Sequence, residues 1–158
     1  MRLAEAYADV DLSKIKETLA GGRLIVYSTG RPPYADHAIT RSAELASFAF
    51  ASPAFGPDAE DGTLAPLFLE NPVIAKAVGT PGFARALNAD GATVADFSVG
   101  PGGEIVLDSV SATPEYPLKL LGLRISLPAE TVEWAKTEFG HIYVTNADNA
   151  YRKLSVRG

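Results

Sequence analysis

The 158-residue sequence contains no cysteine, and this absence excludes several kinds of site at once. Without thiols the chain cannot form disulfides, hold zinc through thiolates or use a cysteine nucleophile. Histidine is scarce as well, since His37 lies in a proline-rich stretch and His141 lies near the end of the chain. Neither histidine has a second histidine or paired carboxylates at the spacing of metal ligands. The sequence therefore predicts no metal site and no cofactor.

Long apolar runs and an excess of basic residues are also missing. No stretch approaches the roughly 18 consecutive apolar residues of a membrane helix. Residues 1–22 contain Asp, Glu and Lys where a signal peptide has an uncharged apolar core. The formal net charge is −5 and the pI is about 5.0, which is the wrong sign for binding along a nucleic acid. We therefore predict a soluble protein with no secretion signal and with neither membrane nor nucleic acid as a partner.

What the chain does have is a strand pattern, which is clearest over residues 79–109. Turn-forming residues at 88–91 and 101–103 divide this stretch into three short strands. In the middle strand, residues 93–99, Phe97 shares a face with other apolar residues and Asp96 lies on the opposite face. No catalytic group is placed between the strands. This pattern favours a β protein that presents a surface rather than a reaction centre.

Together these signals predict a mainly β fold, an antiparallel β sandwich or jelly-roll-like domain with one N-terminal helix. Hydrophobic residues make up 47% of the chain, which is enough for the core of one domain. Further strands are expected at 24–28, 44–50 and 118–127, and an amphipathic helix or two short helices at 3–20. In the last of these strands, alternation puts Leu121, Leu123, Ile125 and Leu127 on one face.

The end of the chain has a different pattern, and we predict a domain over residues 1–127 followed by an extension over 128–158. The extension is expected to contain a helix at 130–139, closed by Gly140, and a hairpin joining 141–145 to 151–156. It also contains a group of candidate interface residues: Trp134, Phe139, Tyr143, Tyr151 and Arg152. These aromatic residues either form a small core that holds the extension in place or anchor it to another subunit.

Residues able to support catalysis do not form a recognisable set. The acidic turn before Gly62 lacks the glutamate that completes an EF-hand loop, and the stretch 28–31 lacks the ending of a phosphate-binding loop. Arg85 could either form a cross-strand ion pair with Asp96 or face solvent. A cell-wall glycan hydrolase would need two carboxylates in one cleft, whereas the acidic residues here cluster in turns. We therefore predict that the protein is not an enzyme, and keep the glycan hydrolase as a remote alternative.

Over residues 4–127 the chain resembles a family of small virion proteins encoded by tailed bacteriophages and prophages. The likeness rests on four motifs in the expected order, whose residues are Leu24, Val26, Tyr27, Gly30, Pro33; Leu45, Ala46, Phe50, Pro53, Ala54, Phe55, Gly56; Gly79, Thr80, Phe83, Ala84, Arg85, Asp90, Gly91; and Asp96, Ser98, Val99, Gly100, Gly103, Leu107, Asp108, Ser109. Phe83 and Ala84 stand where the family usually has Trp-Phe. Residues 128–158 lie beyond the family's usual end.

The resemblance implies a structural protein of the virion, made in the host cytoplasm. Its expected partners are other virion proteins, either the major capsid protein or tail proteins. A homo-oligomer or a symmetric array on the particle is expected. The small acidic chain favours a capsid decoration or cement protein, and a tail or tail-fibre component is the alternative.

Overall fold

A computed structural model describes residues 1–58 and 64–125, together with two further short strands. Its elements in chain order are β1 (Arg2–Leu3), a 3-10 helix (Glu5–Tyr7), α1 (Leu12–Leu19), β2 (Arg23–Ser28), β3 (Glu44–Asp58), β4 (Leu64–Phe68), β5 (Val73–Ile74), β6 (Pro81–Leu87), β7 (Thr93–Ser98), β8 (Ile105–Leu107), β9 (Pro117–Leu118), β10 (Leu120–Leu123), β11 (Trp134–Lys136) and β12 (Ile142–Val144).

Eight of these strands form one large antiparallel sheet in the order β1-β7-β6-β2-β3-β4-β10-β8. The prediction of a mainly β protein with an antiparallel sheet is therefore confirmed. The 15-residue strand β3 connects two halves, because its first part pairs with β2 and its later part pairs with β4. We call β1, β7, β6 and β2 the first half of the sheet, and β4, β10 and β8 the second half.

One hydrophobic core lies against both halves and α1. Phe97 and Leu24 from the first half, Ile105 from the second half and Ile15 from α1 are all fully buried in the same cluster. The predicted burial of Phe97 is confirmed. The opposite face of β7 is buried as well, since Asp96 has no exposed surface.

The loop over residues 29–43 covers that second face of β7. It is attached to the first half by hydrogen bonds that Arg2 and Arg85 donate to the carbonyl oxygens of Pro32 and His37, at 2.6 and 2.8 Å. Alternation along one strand shows that its two faces differ. It does not show that a distant loop covers the polar one.

The pairing of the first two strands in the predicted three-strand block is confirmed, and the pairing of the third is wrong. β6 and β7 form the expected hairpin, and its turn is held by the Asn88 side chain, which accepts hydrogen bonds from the backbone N–H groups of Asp90 and Ala92. The third strand does not continue the hairpin. β8 pairs with β10, and Ile105 at its start forms a parallel bridge with Val99, the residue that follows β7.

The N-terminal region contains less helix than residues 3–20 would allow. Helix α1 begins after Asp11, whose carboxylate caps it by accepting a hydrogen bond from the Lys14 N–H at 2.8 Å. Before the cap, β1 pairs with β7, with Arg2 opposite Asp96. Residues that pair with a sheet edge cannot also belong to a continuous helix.

In the extension, the predicted helix at 130–139 is wrong, because residues 134–136 form strand β11. This strand pairs with β12, with Trp134 opposite Val144 and Tyr143 opposite Ala135. The short apolar pattern fitted a helix or a strand, and Trp, Tyr, Ile and Val have high strand propensities. The predicted partner of 141–145, residues 151–156, lies outside the described residues.

Candidate functional site

The groups best suited to chemistry lie on the covered face of the first half of the sheet. Arg85 and Asp96 face each other on β6 and β7 and form a bidentate ion pair, with Nε–Oδ1 at 2.7 Å and Nη2–Oδ2 at 3.0 Å. Both side chains are buried. The ion pair that the sequence left open is therefore confirmed. Arg2 occupies the next position in the same row, opposite Asp96.

The electrostatics of this pair are dominated by burial. Desolvation raises the pKa of the Asp96 carboxyl above its ordinary value, while hydrogen bonding and the charge of Arg85 act in the opposite direction. Each carboxylate oxygen accepts from the same guanidinium, and the remaining Nη1 donates to the His37 carbonyl. The arrangement joins β6, β7 and loop 29–43. The charged atoms of Arg85 and Asp96 contact each other and the His37 carbonyl rather than facing a substrate.

A second polar cluster surrounds Glu104, which directly precedes β8 and contacts Ser98 at the end of β7. One carboxylate oxygen accepts from the Ser98 N–H at 3.1 Å and from the Arg31 guanidinium at 3.3 Å. The other oxygen contacts the amine of Met1. Nearby, Tyr27 stacks on Phe83 at 5.2 Å, and burial followed by the charge of Glu44 raises the pKa of its hydroxyl. The Arg31 contact again joins the strands to loop 29–43, and the aromatic stack joins β2 to β6.

A cleft of about 420 Å³ lies between α1 and residues 52–56 of β3. Its described lining includes Lys16 and Glu17 from α1 and residues 52–56 from β3. Glu17 is the single carboxylate among those lining residues, whereas glycoside hydrolysis uses two. Within the described part of the chain, no group of three His, Cys, Asp or Glu side chains could hold a metal ion.

The most distinctive surface lies on the outer side of the second half of the sheet. Exposed aliphatic side chains stand on three neighbouring strands: Leu67 on β4, Leu121 on β10 and Val106 on β8. Each of them is adjacent in sequence to a residue that packs in or against the core, so alternation turns it outward. We call these three residues, with the flanking Leu69 and Val110, the outer apolar face.

Nine large hydrophobic residues are exposed in the described ranges. Five of them form the outer apolar face, and the other four are Tyr34, Ile74, Val78 and Tyr116. Leu121 is 59% exposed, Val110 69% and Leu69 76%. Single exposed aliphatic residues are ordinary, but a cluster on adjacent strands marks an interaction surface.

The sequence pattern did not predict this surface, because the pairing of β10 with β8 contains one irregularity. Alternation placed Leu121 with Leu123 and Ile125, yet Leu123 and Ile125 are each 2% exposed while Leu121 is turned outward. The register between β10 and β8 shifts between Leu120 and Gly122. A bulge of this kind reverses the facing of every residue on one side of it.

The residues predicted as an interface fall in, between or after the last two strands. Trp134 lies at the start of β11 and Tyr143 in the middle of β12, on neighbouring rungs of the ladder. Phe139, Tyr151 and Arg152 lie outside the described residues. Their assignment as interface residues stays a prediction. His141 is likewise outside the described part, and His37 contributes its backbone carbonyl to the contact with Arg85.

Comparison with known proteins found no relatives, since no family model, no curated protein and no solved structure matches the chain. In the described part of the chain, none of the helices has the length and apolar character needed to span a bilayer.

Proposed function

We propose that the protein is a non-enzymatic structural component of a tailed-bacteriophage virion, most simply a capsid decoration or cement protein. The observation that carries this proposal is the outer apolar face, in which Leu67, Val106 and Leu121 stand exposed on three adjacent strands. A surface of this kind suits docking onto another protein, because burying it removes apolar area from water.

The sequence motifs that resemble the virion family support the same proposal. Arg85 and Asp96 belong to two separate motifs, and they meet as one buried ion pair. Glycine and aspartate residues from the same motifs lie at the β6–β7 turn and beside β8. The motifs thus correspond to connected parts of one scaffold, which is expected if they record a fold rather than a reaction.

In this proposal the folded sheet is a sandwich-like body of the jelly-roll type, and residues 128–158 are an arm that joins a neighbouring virion subunit. Trp134, Tyr143, Phe139 and Tyr151 would supply aromatic anchors, since Trp and Tyr are enriched at interface hot spots. Arg152 would complement an acidic partner and improve orientation more than affinity. The partner would be the major capsid protein, with tail proteins as the second candidate.

The proposal is tested by finding the protein in particles. Virions or induced prophage particles would be purified by density gradient, separated into capsids and tails, and searched for peptides of this chain. Recovery with capsids, at a fixed ratio to the major capsid protein, is the expected result. Recovery with tails would favour the tail alternative. Absence from both fractions, in particles whose host cell expresses the chain, would overturn the proposal.

The arm is tested with the full-length Trp134→Ala variant. We expect it to remain folded and to occupy particles at a lower level than the parent, because a hot-spot Trp contributes more than about 2 kcal/mol to binding. Tyr34→Ala, which removes an exposed aromatic from loop 29–43, is the comparison variant. Equal occupancy for both variants would mean that the arm does not anchor the protein.

A further inference from the structure

A pocket beside β9 lies outside the polar clusters described above. Its volume is about 310 Å³, which is within the range of roughly 300–1,000 Å³ that small-molecule sites occupy. It is formed by Ala75, which follows β5, by residues of the segment between β8 and β9, and by β9 itself. We call it the hydroxyl-lined pocket, because its lining includes Ser109, Ser111, Thr113 and Tyr116.

The buried and the exposed residues of the hydroxyl-lined pocket differ in character. The buried lining residues are all apolar, namely Ala75, Ala112 and Leu118. The exposed ones include the four hydroxyl-bearing residues, of which Tyr116 is 67% exposed. None of the described lining residues is charged, although Asp108, Glu115 and Lys119 lie next to them in the sequence. The pocket therefore combines an apolar floor with an uncharged rim of hydroxyl groups.

The backbone around the pocket is held by hydrogen bonds within the chain. The Tyr116 N–H donates to the Thr113 carbonyl at 3.1 Å, and the Tyr116 carbonyl accepts from the Ala75 N–H at 3.1 Å. Ala112 exchanges two backbone hydrogen bonds with Gly79, at 2.8 and 3.2 Å. The walls are therefore formed before a ligand arrives, and binding needs little ordering of the chain.

The rim hydroxyls differ in how they are used inside the protein. The Ser109 hydroxyl donates to the Ser111 carbonyl at 2.9 Å and accepts from the Ser111 N–H at 3.3 Å. Among the residues that the structure describes, the hydroxyls of Ser111, Thr113 and Tyr116 form no hydrogen bond. Each of these three hydroxyls can both donate and accept, so they are available to a ligand.

This composition selects among classes of ligand. A wholly apolar ligand would cover the three hydroxyls without replacing their hydrogen bonds to water, which is unfavourable. A charged ligand would meet no opposite charge in the described lining. A sugar ring suits both parts of the pocket, because its hydroxyls can exchange hydrogen bonds with the rim while its C–H groups lie on the apolar floor and the Tyr116 ring.

We propose that the hydroxyl-lined pocket binds one ring of a neutral saccharide. Ser111, Thr113 and Tyr116 supply the hydrogen bonds, and the buried apolar residues contact the C–H groups of the ring. No carboxylate belongs to the described lining, so the pocket holds the sugar without hydrolysing it. This inference is drawn from the pocket alone and does not depend on the proposed virion role.

The first experiment measures sugar binding to the full-length protein by saturation-transfer NMR. Glucose, galactose, mannose and N-acetylglucosamine are the neutral probes, and we expect at least one of them to bind. Glucuronic acid and glucosamine carry a charge on a similar ring and should bind more weakly. Tyr116→Ala should weaken binding more than about tenfold, because the ring and one hydroxyl are lost. Tyr34→Ala removes an exposed tyrosine from loop 29–43 and should bind like the parent.

The second experiment follows the amide resonances of the isotope-labelled parent while the same sugars are added. Resonances of residues 109–118 should shift, and those of loop 29–43 should stay in place. This test needs no variant, so it does not depend on whether Tyr116→Ala folds. Dextran, a neutral glucose polymer, is tested beside the free sugars. Binding of either supports the site, and a preference for dextran identifies a polysaccharide as the source of the ring.

Several results would overturn the saccharide site. They are a parent that binds none of the neutral sugars and no dextran, charged sugars that bind as well as neutral ones, a Tyr116→Ala variant that binds like Tyr34→Ala, and resonance shifts that lie outside residues 109–118. These measurements use the isolated protein, so their failure leaves the particle test of the proposed function unaffected. Absence of the protein from particles likewise leaves the saccharide site unaffected.

Discussion

At the scale of single residues, the Arg85–Asp96 pair is the feature on which most of the first half depends. It joins β6 to β7 by two hydrogen bonds and reaches loop 29–43 through the His37 carbonyl. A buried ion pair contributes little net stability by itself, because desolvation of both charges offsets their attraction. Removing one partner is different, since it leaves the other charge buried and alone.

We therefore expect Arg85→Met to lower the free energy of unfolding by about 3–5 kcal/mol, measured as a shift of the urea midpoint. The double variant Arg85→Met with Asp96→Leu should recover most of that loss, because no buried charge remains. Arg23→Met removes an exposed arginine from neighbouring β2 and should change stability by less than about 0.5 kcal/mol. If Arg85→Met behaves like Arg23→Met, the pair is not buried in solution.

The same pair predicts a pH dependence with a definite sign. Burial raises the folded-state pKa of Asp96, so between its ordinary and its raised value the folded state binds more protons than the unfolded state. The contribution of Asp96 to stability therefore falls as pH rises through that window and recovers as pH falls.

In Arg85→Met, the guanidinium no longer lowers this pKa, and the protonated carboxyl should persist to higher pH. The difference in unfolding free energy between the parent and Arg85→Met should therefore be largest near neutral pH and shrink on acidification. Urea titrations of both proteins across the acidic range measure it. A difference that stays constant, or grows as pH falls, would contradict the assignment.

At the scale of elements, β6 depends on a close backbone approach from the start of loop 29–43. A Cβ added at Gly82 would lie 1.7 Å from the Thr29 carbonyl oxygen, and Thr29 itself has a φ of 71°. Backbone atoms at this distance cannot be displaced by a side-chain rotation. The absence of a side chain at Gly82 therefore allows the loop to fold back over β6.

We expect Gly82→Ala to destabilise the protein by more than about 1 kcal/mol, because loop and strand must separate. Gly30→Ala is the matched control. A Cβ at Gly30 meets nothing within 4 Å, and the residue is in the same loop. Thermal unfolding of both variants measures the contrast. Equal melting temperatures would show that the loop does not lie against β6 at this point.

At the scale of the whole molecule, a single core cluster contains residues from both halves of the sheet and from α1, so we expect these parts to unfold together. The extension over 128–158 was predicted as a separate unit, and it includes the single tryptophan of the chain. A unit of about 30 residues cannot bury enough apolar surface to be stable alone. Tryptophan fluorescence and far-UV circular dichroism therefore report different parts of the protein.

We expect the fluorescence of Trp134 to change at a lower urea concentration than the far-UV signal, which follows the sheet. Trp134→Phe supplies the control, since it should abolish the fluorescence transition and leave the far-UV transition in place. Coincident midpoints at all protein concentrations would mean that the extension and the sheet unfold together, and that a boundary at residue 127 is wrong.

Features that depend on local chemistry could be predicted from the amino-acid sequence alone. Alternation placed Phe97 on an apolar face of β7, and turn-forming residues located the bend at 88–91 that joins β6 to β7. These features need only neighbouring residues, and strand period and turn geometry are local properties of the backbone. Together, the strand alternation and the turn residues predicted the mainly β class.

Contacts between segments that are distant in sequence could be seen only in the folded structure. The folding of loop 29–43 over Asp96, the pairing of β8 with β10 and the outward turn of Leu121 each depend on contacts far apart in sequence. A register shift of one residue moves a side chain from core to solvent without changing the sequence pattern. The outer apolar face therefore became visible only when the strands were placed side by side.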